Sequence, residues 1–353
     1  METVDHGTLG RQIRAIHQRV REVAPGVQRI AMALYQPDDD LLTTFLNSTI
    51  DGLALEHYHY RLSDVYSLQQ LAAERMPRLL TDLPAQLGTD TQHSRYLLSE
   101  GYLSSFTVPM LHHEELFGFI FFDSIHHDTF PSHVQRELML HAGLLAMSVA
   151  NELLAISSVT GAMQIARDFA AARDHETGAH MDRMARYSRI IARETADHFG
   201  LDDETVEHVF RYAPLHDIGK IGVPDHILFK RSPLDPDEWE TMKAHTTRGA
   251  EMMRAIVRDL VHVEVPEPQL LLHIVELHHE KLDGSGYPRG LRGDEIPPEA
   301  RIVAVADVFD ALTTERSYKV PWSFDHGAAE LRREVVKGLL DGMCVEALLG
   351  ARD

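Results

Sequence analysis

Two periodicities divide this chain, and they restrict its fold more than any other feature. Up to about residue 122 the apolar residues alternate in short runs, as strands require. From about residue 165 onward they recur at helical spacing between loops. Within the first part, Leu9, Ile13, Ile16 and Val20 mark a helix over residues 8–24. Ile30, Met32 and Leu34 alternate as in a half-buried strand, Asp38-Asp39-Asp40 marks a turn, and Leu41–Asn47 reads as a second strand. Phe106, Val108 and Met110, a polar turn at His112–Glu115, then Phe117, Phe119 and Phe121 read as a hairpin. The expected first domain is therefore α+β, an antiparallel sheet with helices. The later half, punctuated by Pro224, Pro233, Pro236, Pro266, Pro268, Pro288 and Pro297-Pro298, is expected to be an all-α bundle.

Between the two, Pro131 opens a long helical run. In it Leu138, Ala142, Leu145, Val149, Ile156, Val159, Met163, Ala166 and Ala170 stand near a 3.5-residue spacing, with Glu152 interrupting one position. Such a seam fits a parallel coiled coil between two copies, or an amphipathic helix packed on its own domain. We take the first, and so expect a homodimer through this linker helix. The domains would then be residues 1–150, with the linker starting near residue 131, and residues 151–353. A length of 353 residues suits two domains of roughly 150 residues each.

The formal net charge is −20. Such a chain repels polyanions at long range, so a nucleic acid polymer is not an expected partner. A small phosphate ligand stays compatible where bound cations reverse the sign locally. The lone cysteine, Cys344, excludes an intramolecular disulfide and a cysteine-rich zinc site, and fits a reducing, cytoplasmic setting. The start of the chain lacks a signal-peptide pattern. The apolar run Leu116–Phe122 is far shorter than the roughly 18 residues of a membrane span, so no membrane partner is expected.

Histidine is the compositional oddity: there are 23, many beside an acid. Glu176 and His180 are four apart, which puts both on one helical face. Adjacent His216 and Asp217 would diverge by about 100° on a helix and reach a metal from two directions. Asp217 could bridge two ions with its two oxygens, and Lys220, three residues on, shares its face and can meet a phosphate. His245 follows, then His278-His279 at the end of an apolar helical run, then Asp307 and Asp310, and Arg316 and Lys319, each pair three apart. Each piece alone is weak, because isolated pairs of this kind are more often solvated helix faces. The order and completeness of the set carry the weight.

His216-Asp217-x-x-Lys220 resembles the HD signature of metal phosphohydrolases. His278-His279-Glu280-Lys281-Leu282-Asp283-Gly284-Ser285-Gly286-Tyr287-Pro288 resembles the GYP segment of the HD-GYP family. Gly290-Leu291-x-Gly293, Ile296-Pro297 and the run Ala300–Thr313 continue the pattern, over about residues 160–348. The resemblance implies a metal-dependent phosphodiesterase that opens a cyclic dinucleotide, cyclic di-GMP, to pGpG or GMP. It implies metal ligation by His180, His216, Asp217, His245, His278, His279 and Asp307. Glu176 matches a glutamate associated with a third metal in some members, so three ions rather than two are expected. Asp217, Lys220 and His216 form the expected catalytic set. Lys220, Asp310, Arg316 and Lys319 match positions that contact substrate phosphates or support the site. Five imidazoles and three carboxylates without a thiolate suit iron, with manganese as the alternative.

Tyr287 lies in a Gly/Pro turn directly after two ligand histidines. It would stack on a guanine or donate a hydrogen bond to substrate; alternatively the loop organises Arg289 and Arg292, or a protein partner. The first domain, over about residues 8–150, is similar to a GAF sensor domain, which implies an unidentified small ligand and control of the second domain. Two other functions remain open: a catalytically silent HD-type module, and a phosphohydrolase for a hybrid cyclic dinucleotide. One departure stands out. Gly338 is followed by Leu340-Asp341-Gly342 where the family has Phe-Asp-Pro, which weakens the expectation of a last helix.

Overall fold

Alternating residues do form strands in the first part of the chain, and helical spacing does form helices in the second. The computed structural model describes residues 8–50, 54–89, 92–171, 178–230, 232–259, 265–314 and 321–351. Its contacts separate two units, Met1–Leu153 with Asp202–Glu204, and Leu154–Leu201 with Thr205–Asp353.

The first unit is α+β. Helix α1 (Thr8–Val23) leads into β1 (Val27–Gln36), β2 (Leu41–Thr49) and β3 (His59–Arg61). Then come α2 (Tyr66–Glu74), β4 (Arg78–Leu80), α3 (Leu83–Gln86), α4 (Gln92–Ser99), β5 (Ser104–His112) and β6 (Glu115–Ser124). The strands pair antiparallel in the order β3-β2-β1-β6-β5-β4. The β5–β6 hairpin turns at His113 and Glu114, both at positive φ (46° and 67°), the backbone a two-residue primed turn requires. One face of the sheet packs Ile30, Met32, Leu34, Phe106, Ile120 and Phe122 against Ile13 and Val20 of α1. The alternation around Ile30 suggested a half-buried strand, but the other face is covered as well. Ala31, Ala33, Phe119 and Phe121 meet Leu68 and Leu71 of α2, so β1 is buried on both sides.

Helix α5 (Ser132–Ala171) follows. The seam expected to join two copies is used within the chain instead. Leu138, Ala142, Leu145 and Val149 enter the core of the first unit, and Ile156 and Val159 that of the second. The side chains of Met163, Ala166 and Ala170 lie outside the described residues. Heptad spacing specifies an apolar face without saying what covers it, and here the chain's own units do. A second stripe is left in solvent: Leu140, Leu144, Met147 and Leu154 are 66%, 53%, 58% and 46% exposed. With both stripes apolar, residues Ser132–Ala162 are long and apolar enough to cross a membrane by length and composition, at mean hydropathy 1.5 with 39% of the window buried.

The second unit is helical, from α6 (Gly178–Glu194) through α7 (Ala196–Phe199), α8 (Asp203–Tyr212), α9 (Asp225–Leu228), α10 (Pro236–Lys243) and α11 (His245–Asp259). It continues with α12 (Pro268–Leu277), α13 (Pro298–Thr313), α14 (Phe324–Val336) and α15 (Gly342–Gly350). Its core gathers Met184, Ile191, Val209, Leu271, Ile274, Ile302, Val305 and Phe309 with Leu331 and Val345. The altered Leu340-Asp341-Gly342 sequence does not cost the last helix. Asp341 caps it, its carboxylate accepting from the Met343 and Cys344 amides.

Candidate metal centre

His216 and Asp217 are not on an α-helix as expected. They sit between two short 3₁₀ turns, Ala213–Leu215 and Ile218–Gly222. In a 3₁₀ turn residues three apart eclipse, and Lys220 Nζ lies 2.6 Å from Asp217 Oδ2. The second turn presses onto α11, and glycine makes this approach possible. A Cβ at Gly219 would stand 1.8 Å from the His245 carbonyl oxygen. His245 begins α11, and His278 ends α12 as its C-cap, with His279 following. His180 stands on α6 and Asp307 and Asp310 on α13.

These elements bring the expected side chains into two adjoining groups. Asp217, His245, His278 and His279 form one, and His180, His216 and Asp307 the other, with ligand atoms within 4.8 Å of one another in each. Asp217 faces both. Its Oδ1 is 3.1 Å from His245 Nε2 and 3.7 Å from His278 Nε2, while Oδ2 is 3.1 Å from His216 Nε2. His216 Nε2 is also 3.9 Å from Asp307 Oδ1.

The proton positions follow from what lies behind each ring. The Nδ1 atoms of His216, His245 and His278 lie 2.9, 2.7 and 3.0 Å from the carbonyl oxygens of Ala213, Met242 and Ile274. A carbonyl only accepts, so Nδ1 carries the proton and Nε2 presents a lone pair forward. His180 Nδ1 is held in the same way by the Asp310 carboxylate at 2.7 Å. The buried Nε2 atoms of His180, His245 and His278, and Oδ1 of Asp217, make no hydrogen bond. The lone pairs of His245 and His278 thus converge on Asp217 Oδ1 at 3.1 and 3.7 Å, an arrangement that is repulsive without a cation among them. Metal bonds of about 2.0–2.2 Å would set neighbouring ligand atoms roughly 3–3.5 Å apart, so the residues fit divalent cations.

The electrostatics agree. Burial alone would raise the Asp217 carboxyl, but the Lys220 ammonium beside it, the largest opposing influence, helps hold it well below the usual carboxylate range. Burial, then the neighbouring His278, pushes His279 well down, and burial lowers His278, so both rings stay neutral and able to ligate.

Asp310 stands behind the ligands, where a substrate contact was one expectation. It is 1% exposed, and His180 and Arg183 take its oxygens. Burial would raise its carboxyl, yet these two partners hold it at about 2. Arg183 was missed in the sequence, although it lies three residues after His180 and so on the same face of α6.

Tyr287 does lie at the centre, its ring 4.9 Å from that of His279 and 6.4 Å from that of His245. Its loop folds back so closely that a Cβ at Gly286 would meet the Lys281 amide nitrogen at 2.3 Å. Glu280, 3% exposed, fixes the loop by accepting the amides of Arg289, Gly290 and Leu291 at 2.6, 3.1 and 2.9 Å. Arg289 pairs with Glu276 at 2.9 Å. Glu176, Arg316 and Lys319 lie outside the described residues.

Residues 164–343 match the HD domain family, just over half of the chain, and the chain belongs to that family. Among curated relatives it is 43% identical over 160 residues to the 3'3'-cGAMP-specific phosphodiesterase 2 of Vibrio cholerae, covering 45% of this chain and 28% of that protein. It is 42% identical over 180 residues to the cyclic di-GMP phosphodiesterase response regulator RpfG of Xanthomonas campestris, covering 51% and 44%. A Thermotoga maritima cyclic di-GMP phosphodiesterase is 45% identical over 159 residues, covering 45% and 40%. The chain thus spans less than half the length of these three relatives.

Proposed function

We propose that this chain is a metal-dependent phosphodiesterase acting on a cyclic dinucleotide, with residues 151–353 catalytic and residues 1–150 a sensor domain that governs them. The observation that supports it best is the convergence of lone pairs from His245 and His278 on Asp217, beside the adjoining group of His180, His216 and Asp307. Cations held by Asp217, His245, His278 and His279, and by His180, His216 and Asp307, would polarise a phosphodiester and ready a water for attack at neutral pH. Asp217 links the two groups, and the carbonyls and Asp310 behind the histidines hold each Nε2 forward. Lys220 gives the site a point charge for a phosphoryl oxygen. Arg316 and Lys319 add phosphate contacts, and Glu176 ligates a third cation. We assign iron, with manganese as the alternative, and three ions. The product is pGpG or GMP.

A homodimer through α5, by way of the exposed Leu140, Leu144, Met147 and Leu154, would carry the signal of a small ligand from the first domain. The lone cysteine supports a cytoplasmic site of action. The Vibrio cholerae relative favours a second reading, in which the substrate is the hybrid guanine–adenine dinucleotide. Both are tested by reconstituting the protein anaerobically with Fe²⁺ or Mn²⁺ and following cyclic di-GMP and 3'3'-cGAMP by product analysis. The proposal expects linear product from at least one. A fully loaded protein that turns over neither would indicate a silent module.

A further inference from the structure

A cyclic dinucleotide carries two purines beside its phosphates, and Tyr287 alone, expected to stack on one of them, leaves the second base without a partner. We propose that Trp239, with Lys243 one turn later on the same helix, forms the platform that stacks a purine of the substrate and meets its charge at the mouth of the metal centre. The inference rests on the phosphodiesterase reading.

Trp239 is 46% exposed, although a large aromatic side chain gains most from burial. Its ring lies 6.2 Å from that of Tyr287 at 79°, an edge-to-face pair, and Tyr287 in turn lies against His279 at 4.9 Å. The indole is therefore two ring contacts from a metal-facing imidazole, a distance appropriate to a base joined to its phosphate through a sugar. Among the described residues no other ring contacts Trp239, which leaves indole surface open to a planar ligand. Lys243, four residues on and on the same face, places Nζ 5.9 Å from the Tyr287 ring centroid. The platform is also rigid at its start. Asp235 and Glu238 form a capping box at the first turn of α10, Pro236 opens it, and Lys230 holds Glu238. Stacking on an exposed aromatic ring accepts any base, so Trp239 would set affinity for purine-bearing substrates without choosing guanine over adenine.

The test compares wild type, Trp239→Ala and Trp239→Phe as metal-loaded full chains, in turnover of cyclic di-GMP and in its inhibition by inorganic phosphate, an anion with no ring to stack. Trp239→Ala should raise KM for cyclic di-GMP about tenfold with kcat within about twofold, and Trp239→Phe should recover most of the loss. The inhibition constant of inorganic phosphate should not change. The sequence has two tryptophans, so Trp322→Phe leaves Trp239 as the only indole, and its fluorescence should be quenched on mixing with cyclic di-GMP before turnover. An unchanged KM, an equal loss of affinity for inorganic phosphate, or an unquenched indole would overturn the platform while wild-type turnover keeps the phosphodiesterase reading. A wild type that opens no cyclic dinucleotide overturns both.

Discussion

Replacing Gly219 by alanine should draw Asp217 away from His245 in the metal centre without removing any ligand. The added Cβ would lie 1.8 Å from the His245 carbonyl oxygen and 2.6 Å from the Gly249 nitrogen, both backbone atoms of α11. Ordinary contact begins at 3.4 Å, so the turn and the helix must part by about 1.6 Å. Added in full to the 3.1 Å between Asp217 Oδ1 and His245 Nε2, that shift carries the pair to about 4.7 Å. Two metal bonds of about 2.1 Å span at most roughly 4.2 Å, even in a straight line. Asp217 and His245 could then no longer share an ion. Repositioning groups behind metal ligands costs about 10–100-fold in affinity, and separating the ligands themselves should reach at least the upper end. Chelator competition gives the affinity, and a thermal melt records the overpacking strain of about 1–3 kcal/mol. Gly222→Ala is the control on the same turn, since its Cβ would meet Arg248 Cδ at an ordinary 3.5 Å. Wild-type metal affinity and turnover in Gly219→Ala would refute the geometry.

Three further predictions follow from the same contacts. Asp310→Asn should keep the fold but weaken metal binding at the group containing His180 about 10–100-fold, because Asp310 fixes that imidazole; equal affinity in a metal titration would contradict this. Glu280→Gln leaves one oxygen for three amides, so hydrogen exchange at Arg289, Gly290 and Leu291 should quicken about 5–150-fold, equivalent to about 1–3 kcal/mol. Burial, with Arg29 and Arg78 nearby, pushes the His93 imidazole from 6.5 down to about 3. The folded value lies below the unfolded one, so this stability is fully present above pH 6.5 and lost as pH falls toward 3, by at most about 1.4 kcal/mol per pH unit. His93→Phe should flatten that slope in urea unfolding of the full chain, and an unaltered slope would rule the group out.

The chemistry was more legible in the sequence than the packing. His216, Asp217, His245, His278, His279, His180 and Asp307 come from elements far apart in the chain, yet their order and the resemblance to the HD-GYP family marked them as one set, and the fold brings them into two adjoining groups. Supporting groups carried weaker signals. Glu280 reads as one more letter of a motif until its carboxylate is seen accepting three amides, and Arg183 as a surface charge until Asp310 is seen beside it. Asp310 itself was open between a substrate contact and a support of the site, because spacing along α13 fixes its face but not which neighbours reach it first. The seam of α5 shows the same limit. Periodicity located an apolar stripe, but only the folded units show that Leu138 and Leu145 are already covered while Leu140 and Leu144 are not. A two-sided sheet likewise hid behind the alternation of β1, since Ala31 and Ala33 are too small to register as a second apolar face.

The central claim is that Asp217 joins two cation sites. Diffraction from the anaerobically reconstituted protein, with anomalous data on both sides of the iron and manganese edges, tests it most directly. The account predicts at least two peaks, one bound by His245, His278 and His279 and one by His180, His216 and Asp307, with an Asp217 oxygen ligating each. A protein that binds no metal, or peaks that leave Asp217 uncoordinated, would contradict it.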